Sequence, residues 1–110
     1  MKRFPSLKSS KEFARVYNNC DSFANRNLVM YKNKNSSDKN RIGISVSKKV
    51  GNSVTRHRLT RLIREIFRSN SSSFEGYDIV VVIRVAAANC GYKELENSYI
   101  KLIKLHKDKI

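Results

Sequence analysis

The stretch of sequence that decides the fold is Arg41–Arg68, which reads RIGISVSKKVGNSVTRHRLTRLIREIFR. Its first part, Arg41–Ser47, alternates apolar with small residues, and this period of two predicts a strand with one buried face. After a basic turn the apolar residues recur at helical spacing, and Asn52 or Ser53 can cap the helix that they predict. The apolar stripe of that helix consists of Leu59, Leu62, Ile63, Ile66 and Phe67.

The same segment carries half of the chain's formal net charge of +14, with eight lysines and arginines against one acid. A polyanion suits such a surface, because each neutralised phosphate releases condensed counterions and arginine can grip a phosphate with two parallel donors. Arginines near a helix N-terminus also oppose the helix dipole, which suggests a bound anion. We therefore predict that nucleic acid is contacted by Lys48, Lys49, Arg56, His57, Arg58, Arg61, Arg64 and Arg68.

The flanking sequence adds further elements. Ser9 and Glu12 have the spacing of a capping box, which predicts a short first helix. Ser22–Lys34 is extended with room for two strands, and Tyr77–Val85 is an almost continuous apolar strand that we expect to be covered on both faces. A last helix begins at Gly91. The predicted order is α-β-β-β-α-β-α, and one layer of helices over a small sheet is the economical packing for it.

Length and composition limit the possible functions. At 110 residues the chain is expected to form a single domain over residues 1–110. Its strongly positive charge favours a nucleic-acid partner, with an anionic membrane surface or an acidic protein as weaker alternatives. No apolar run approaches the roughly 20 residues of a membrane span, and no secretory signal is visible, so we expect a cytoplasmic protein without a membrane partner.

Side chains that carry chemistry are sparse. Cys20 and Cys90 have no second Cys or His at ligand spacing, so buried thiols are expected instead of a metal site or a disulfide. His57 and His106 are expected in solvated or capping roles. Glu65, the one acid of the basic helix, is expected to pair with Arg61 or Arg68. No nuclease or nucleotide-binding motif is present, so the chain is predicted to be a binding protein.

Three aromatic residues outside the basic helix, Phe13, Tyr17 and Tyr31, have two interpretations. Such residues can form a platform on which single-stranded bases stack, since stacking tolerates any base sequence. Aromatic residues at helical spacing more often belong to the core, and the pattern alone favours that second interpretation.

Four stretches of the chain resemble the protein subunit of bacterial ribonuclease P. They are Ser22–Arg26, Arg41–Asn52, the arginine motif within Val54–Glu65, and Tyr77–Asp78 before an apolar strand. The resemblance extends over nearly the whole chain. It implies an α+β fold of the α/β-sandwich type, in which a small mixed sheet is covered by helices and contains a left-handed βαβ crossover. One position departs from the family pattern, because His57 stands where an asparagine is common.

The resemblance implies that the protein is a subunit of a tRNA-processing ribonucleoprotein endonuclease and is inactive alone. The catalyst of that enzyme is an RNA that uses Mg²⁺, and the enzyme removes the 5′ leader of precursor tRNA. The residues implied to contact the catalytic RNA are Arg56, Arg58, Arg61 and Arg64, with Lys48 and Lys49 before them. A cleft between the first helix and the sheet is implied to hold the leader, which favours stacking roles for Phe13, Tyr17 and Tyr31.

Two other functions share parts of this pattern. A ribosomal or other structural RNA-binding protein would have the same charge, but it would have no reason to prefer tRNA with a leader over mature tRNA. A helix-turn-helix DNA regulator would need a second helix packed just before the basic helix. The strand predicted at Arg41–Ser47 occupies that place, so no DNA partner is expected.

Overall fold

The computed structural model of the protein describes residues 11, 21–34, 39–70 and 76–108. In these residues the strands are β1 (Asp21–Ala24), β2 (Leu28–Lys34), β3 (Arg41–Val46) and β4 (Tyr77–Ile83), and the α-helices are α1 (Ser53–Ser69) and α2 (Tyr92–Asp108). Short 3-10 turns at Lys48–Val50 and Val85–Ala87 follow β3 and β4. The order from β1 onward confirms the prediction.

The predicted first helix lies outside the described residues, apart from Lys11, which is helical. The same holds for the capping residues Ser9 and Glu12 and for the aromatic residues Phe13 and Tyr17. The interpretations given to these four residues therefore stay predictions.

The described strands form one mixed sheet in the order β1-β2-β4-β3. The pairs β1–β2 and β2–β4 are antiparallel, whereas β3 and β4 are parallel neighbours. Helix α1 connects this parallel pair, so the predicted βαβ crossover is present, while its left hand stays a prediction. Parallel strands need such a crossover because the end of β3 and the start of β4 lie at opposite edges of the sheet.

The core lies between one face of the sheet and the two helices. On β3 the alternation is confirmed, because Ile42 is buried and Ile44 and Val46 pack against the same core cluster. The helical stripe is confirmed as well, with Leu62 only half-buried at its edge. The buried residues that α1 and α2 contribute are Leu59, Ile63, Ile66, Phe67, Leu95, Tyr99, Leu102 and Ile103.

Strand β4 is buried on both faces, as predicted. Ile79 and Val81 belong to the core under the helices, while Asp78 and Val80, which point to the other face, are also fully buried. Asp78 is paired with Arg41 of β3, whose Nε and Nη2 donate to the two carboxylate oxygens at 2.8 Å each. This two-pronged ion pair links the first residue of β3 to the second residue of β4.

Helix α2 is fastened to the sheet by a histidine, and here the sequence prediction was wrong. His106 is only 1% exposed instead of solvated, and its Nε2 lies 3.1 Å from the carbonyl oxygen of Met30. Its ring meets the ring of Phe23 edge-on, with 4.8 Å between the centroids. The ammonium of Lys32 donates to the His106 carbonyl at 3.4 Å. The contact of Nε2 with the Met30 carbonyl offsets part of the cost of burying this polar ring.

Candidate nucleic-acid interface

The basic surface begins at the N-terminus of α1. Asn52 is the N-cap, and its side-chain oxygen accepts a hydrogen bond of 2.9 Å from the backbone N–H of Thr55. This settles which of the two predicted caps is used. The first turn of the helix contains no acid, so its exposed N–H groups and the neighbouring lysines of the 3-10 turn present charge of one sign.

Most of the predicted nucleic-acid-binding residues are exposed along this turn and helix. No ion pair neutralises Lys48, Lys49, Arg61 or Arg64 in the part of the chain that the structure describes. Arg56 differs, because it is half-buried and its Nε is enclosed without a hydrogen-bond partner. The exposed members of the predicted set are Lys48, Lys49, His57, Arg58, Arg61, Arg64 and Arg68.

Glu65 does not form the ion pair that the sequence suggested. Its side chain is exposed, and no salt bridge joins it to Arg61 or Arg68, although all three residues are described. Such surface pairs contribute only ~0–1 kcal/mol, so little holds two long side chains together in water. Glu65 therefore does not neutralise Arg61.

Arg58 has a structural role that the sequence did not reveal. Its Nη1 donates to the carbonyl oxygen of Cys90 at 3.0 Å, and its Nη2 donates to that of Ala88 at 2.9 Å. These bonds clasp the N-terminal half of α1 to the connection between β4 and α2. They also fix the plane of the guanidinium group, whereas no hydrogen bond to the described residues holds the side chain of Arg61 or Arg64.

Cys90, beside this clasp, is buried as predicted, whereas Cys20 lies outside the described residues. Burial raises the pKa of the Cys90 thiol, and the nearby carboxylate of Glu94 raises it further. The guanidinium groups of Arg26 and Arg58 act in the opposite direction. The thiol is therefore kept neutral next to a cluster of positive charge.

The structure adds a hollow on the exposed side of α1. This open hollow has a volume of about 450 Å³ and is lined by Ser53, Val54, His57, Arg58 and Arg61. Val54 is 76% exposed although it is apolar. The predicted interface did not include Ser53 or Val54. The sequence does place the apolar residue Val54 off the apolar stripe of the helix, which indicates an exposed apolar side chain.

Tyr31 lies on the other side of the sheet from this helix. Its neighbours Met30 and Lys32 are buried toward α2, and side chains alternate along β2, so Tyr31 points to the opposite face. It is half-buried there, beside Ser22 of β1 and Val80 of β4. Tyr31 is thus not part of the core between the sheet and the helices.

Two further observations concern the described residues alone. No group of three or more His, Cys, Asp or Glu side chains among them is placed so that it could hold a metal ion. None of the described helices has the length and apolar character needed to cross a membrane.

Comparison with known proteins gives one consistent result. The sequence model of the family Ribonuclease P matches residues 1–107. The chain is 55% identical over 103 residues to the ribonuclease P protein component of Lachnoclostridium phytofermentans, covering 93% of this chain and 89% of the relative. It is 45% identical over 104 residues to that of Clostridioides difficile, covering 93% and 91%.

Solved structures agree with the sequence relatives. The Staphylococcus aureus RNase P protein superposes with a TM-score of 0.88 at 37% identity, covering 96% of this chain and 97% of that one. The Thermotoga maritima RNase P protein gives a TM-score of 0.82 at 30% identity, covering 90% and 94%. At these identities the likeness extends beyond the arrangement of strands and helices to the sequence.

Proposed function

The chain belongs to the ribonuclease P protein family, and we propose that α1 with the preceding 3-10 turn is the surface that binds the catalytic RNA. The role of this family is RNA-dependent 5′ processing of tRNA, so the protein is the protein subunit of an endoribonuclease that is a ribonucleoprotein. Within that enzyme the residues assigned to the catalytic RNA are Lys48, Lys49, Arg56, His57, Arg58, Arg61, Arg64 and Arg68.

One observation carries this proposal. Lys48 and Lys49 in the turn before α1 are exposed, as are Arg61 and Arg64 on the helix, and the described part of the chain provides no carboxylate that pairs with them. Each such cation releases a counterion when it meets a phosphate, which favours binding to a folded RNA of high charge density. The same charges reduce repulsion between two RNAs that must lie close together, and we assign this second effect to the pair of catalytic RNA and precursor tRNA.

The substrate contact that we propose lies on the other face of the sheet. Tyr31, together with Phe13 and Tyr17, would stack on bases of the 5′ leader of precursor tRNA. The position of Tyr31 outside the helical core supports this assignment, because a tyrosine on that face is not needed to fill the space under α1 and α2.

The protein contributes binding and not the reacting groups in this proposal. Mg²⁺ is required by the catalytic RNA and held there, and it supplies the activation of water for phosphodiester hydrolysis. The residues of this chain position the two RNAs. Because precursor tRNA is matured where it is transcribed in bacteria, we propose a cytoplasmic location.

The test is reconstitution. Full-length protein is added to a bacterial ribonuclease P RNA at low Mg²⁺, and cleavage of labelled precursor tRNA is followed together with RNA affinity at several salt concentrations. We expect the protein to increase the rate of cleavage by the RNA. We expect Arg61→Ala and Arg64→Ala each to reduce the magnitude of the slope of log affinity against log salt by roughly 1, since each removes one phosphate contact.

Two results would contradict the proposal. One is unchanged affinity and salt slope in both arginine variants with native circular dichroism. The other is robust cleavage by protein free of RNA, which would make the chain a nuclease by itself. If the holoenzyme has the same affinity for precursor tRNA and for mature tRNA, only the proposed contact with the 5′ leader is contradicted.

A further inference from the structure

We propose that the open hollow on α1 binds an unpaired nucleobase of the RNA partner. This inference rests on the proposed function and names the group of the RNA that this part of the helix receives. The prediction from charge alone was a row of phosphate contacts. The hollow instead combines flat and apolar groups with the charge, and that combination suits the face of a base.

Val54 gives the first argument. It is 76% exposed in the first turn of a helix whose other exposed residues there are polar or charged. It contributes nothing to the core, and a methyl-bearing side chain gains nothing from a phosphate. Covering it with a base removes apolar surface from water, which favours binding.

Arg58 and His57 give the second argument. The two hydrogen bonds to Ala88 and Cys90 hold the Arg58 guanidinium in one plane, so this group is ordered before any RNA arrives. Guanidinium planes and aromatic rings are the two kinds of surface on which unpaired bases stack in proteins. His57, the next residue along the chain, adds an exposed imidazole ring to the same hollow.

The charge around the hollow gives the third argument. The described residues that line it include Arg61 and no acid, so a phosphate next to the bound base is attracted. A nucleotide has groups that suit each part of this lining. In the proposal, the face of its base stacks on His57 and Arg58, the edge of the base contacts Val54, and its phosphate lies near Arg61.

The experiment measures the affinity of the full-length protein for a bacterial ribonuclease P RNA over a series of salt concentrations. We expect His57→Ala to weaken binding roughly 5- to 150-fold at every salt concentration, the loss reported for removing one base–aromatic stack. The slope of log affinity against log salt stays unchanged, because stacking releases no counterions. His57→Phe keeps the ring and is expected to bind within about twofold of the native protein, while Val54→Ala weakens binding several-fold.

Two control variants separate the possible failures. Ile100→Ala removes an exposed apolar side chain from the outer face of α2 and should leave affinity unchanged. Arg64→Ala, outside the hollow, should lower the salt slope by roughly 1. If Arg64→Ala behaves so while His57→Ala and Val54→Ala bind like the native protein, the hollow is not a base site and the proposed function stands. If Arg64→Ala is also without effect, the proposed function fails as well.

Two further outcomes also overturn the base site. A lowered salt slope in His57→Ala would show that His57 contacts a phosphate. Equal weakening in His57→Ala and His57→Phe would show that the ring is not what binds. Arg58 is left unchanged throughout, since its bonds to the backbone make it part of the fold.

Discussion

At the scale of single residues, the carboxylate of Asp78 shows how a charge can be buried in this protein. It is fully buried, and both of its oxygens accept from the one guanidinium of Arg41 at 2.8 Å. Removing a carboxylate from water is costly, and only such a matched partner offsets the cost. The pair joins β3 to β4, so it helps to hold together the two parallel strands that α1 connects.

We predict that Asp78→Asn lowers the free energy of unfolding by about 1–3 kcal/mol, because it removes a buried charge that accepts two hydrogen bonds from Arg41, while the partly exposed guanidinium can still be solvated. Urea unfolding followed by circular dichroism measures this loss. Glu65→Gln is the matched control, since it removes an exposed carboxylate that has no ion pair, and it should change stability by less than ~0.5 kcal/mol. Similar small effects for both variants would show that the Arg41–Asp78 pair is not needed for stability.

A second prediction concerns alkaline pH. Tyr99 is 1% exposed, and burial raises the pKa of its phenol. In the unfolded chain this phenol ionises at pH ~10, whereas the folded protein keeps it neutral. Its contribution to stability is therefore complete below that pH and is lost as the pH rises above it. Tyr99→Phe should therefore show a flatter decline of stability between about pH 9 and pH 11 than the native protein. Urea unfolding at each pH measures it, and Tyr92→Phe, at an exposed tyrosine, should keep the native decline.

At the scale of elements, helix α1 separates a buried stripe from a charged one. Leu59 is fully buried against the sheet, whereas Leu62 at the edge of the stripe is half-buried. Leu59→Ala is expected to cost about 2–5 kcal/mol of unfolding free energy through lost burial and a cavity. Leu62→Ala should cost clearly less, because water can fill the space it leaves. Equal losses of unfolding free energy in the two variants would contradict the assignment of Leu59 to the buried side of α1 and of Leu62 to its edge.

The elements that local pattern determines could be predicted from the sequence. The apolar period of α1 and the alternation of Ile42, Ile44 and Val46 depend only on neighbouring residues, so strand, turn and helix came out in the right places. The contacts of Arg58 and His106 could not be predicted in this way. Their carbonyl acceptors lie 30, 32 and 76 residues away along the chain, and only the closed fold brings such groups together.

For the candidate site, the sequence predicted which cations are exposed but not which of them have other partners. Arg58 was assigned to RNA because of its place in the arginine motif, and the structure shows two of its five N–H donors bonded to backbone carbonyls. Val54 was overlooked, since a single exposed valine has no meaning until the shape around it is known. Charge is readable from composition, whereas a hollow is a property of the surface in three dimensions.

At the scale of the whole molecule, the sheet separates two surfaces. Helix α1 packs on one face, and Tyr31 points to the other. In the proposed function the catalytic RNA meets the first surface and the leader of precursor tRNA meets the second, so the two RNAs do not compete for the same residues. The net charge of +14 then attracts both, which steers their approach over distances of about a Debye length, ~8–10 Å.

In the proposed function, the hydrogen bonds of Arg58 also influence the rate at which the protein binds the catalytic RNA. They tie the N-terminal half of α1 to the connection after β4, and the buried stripe ties the rest of the helix to the sheet. If α1 is the RNA-binding surface that we propose, this surface is complete before RNA arrives, and no segment of α1 has to fold during the encounter. We therefore expect the association rate to be limited by diffusion and orientation, and we expect added salt to slow association.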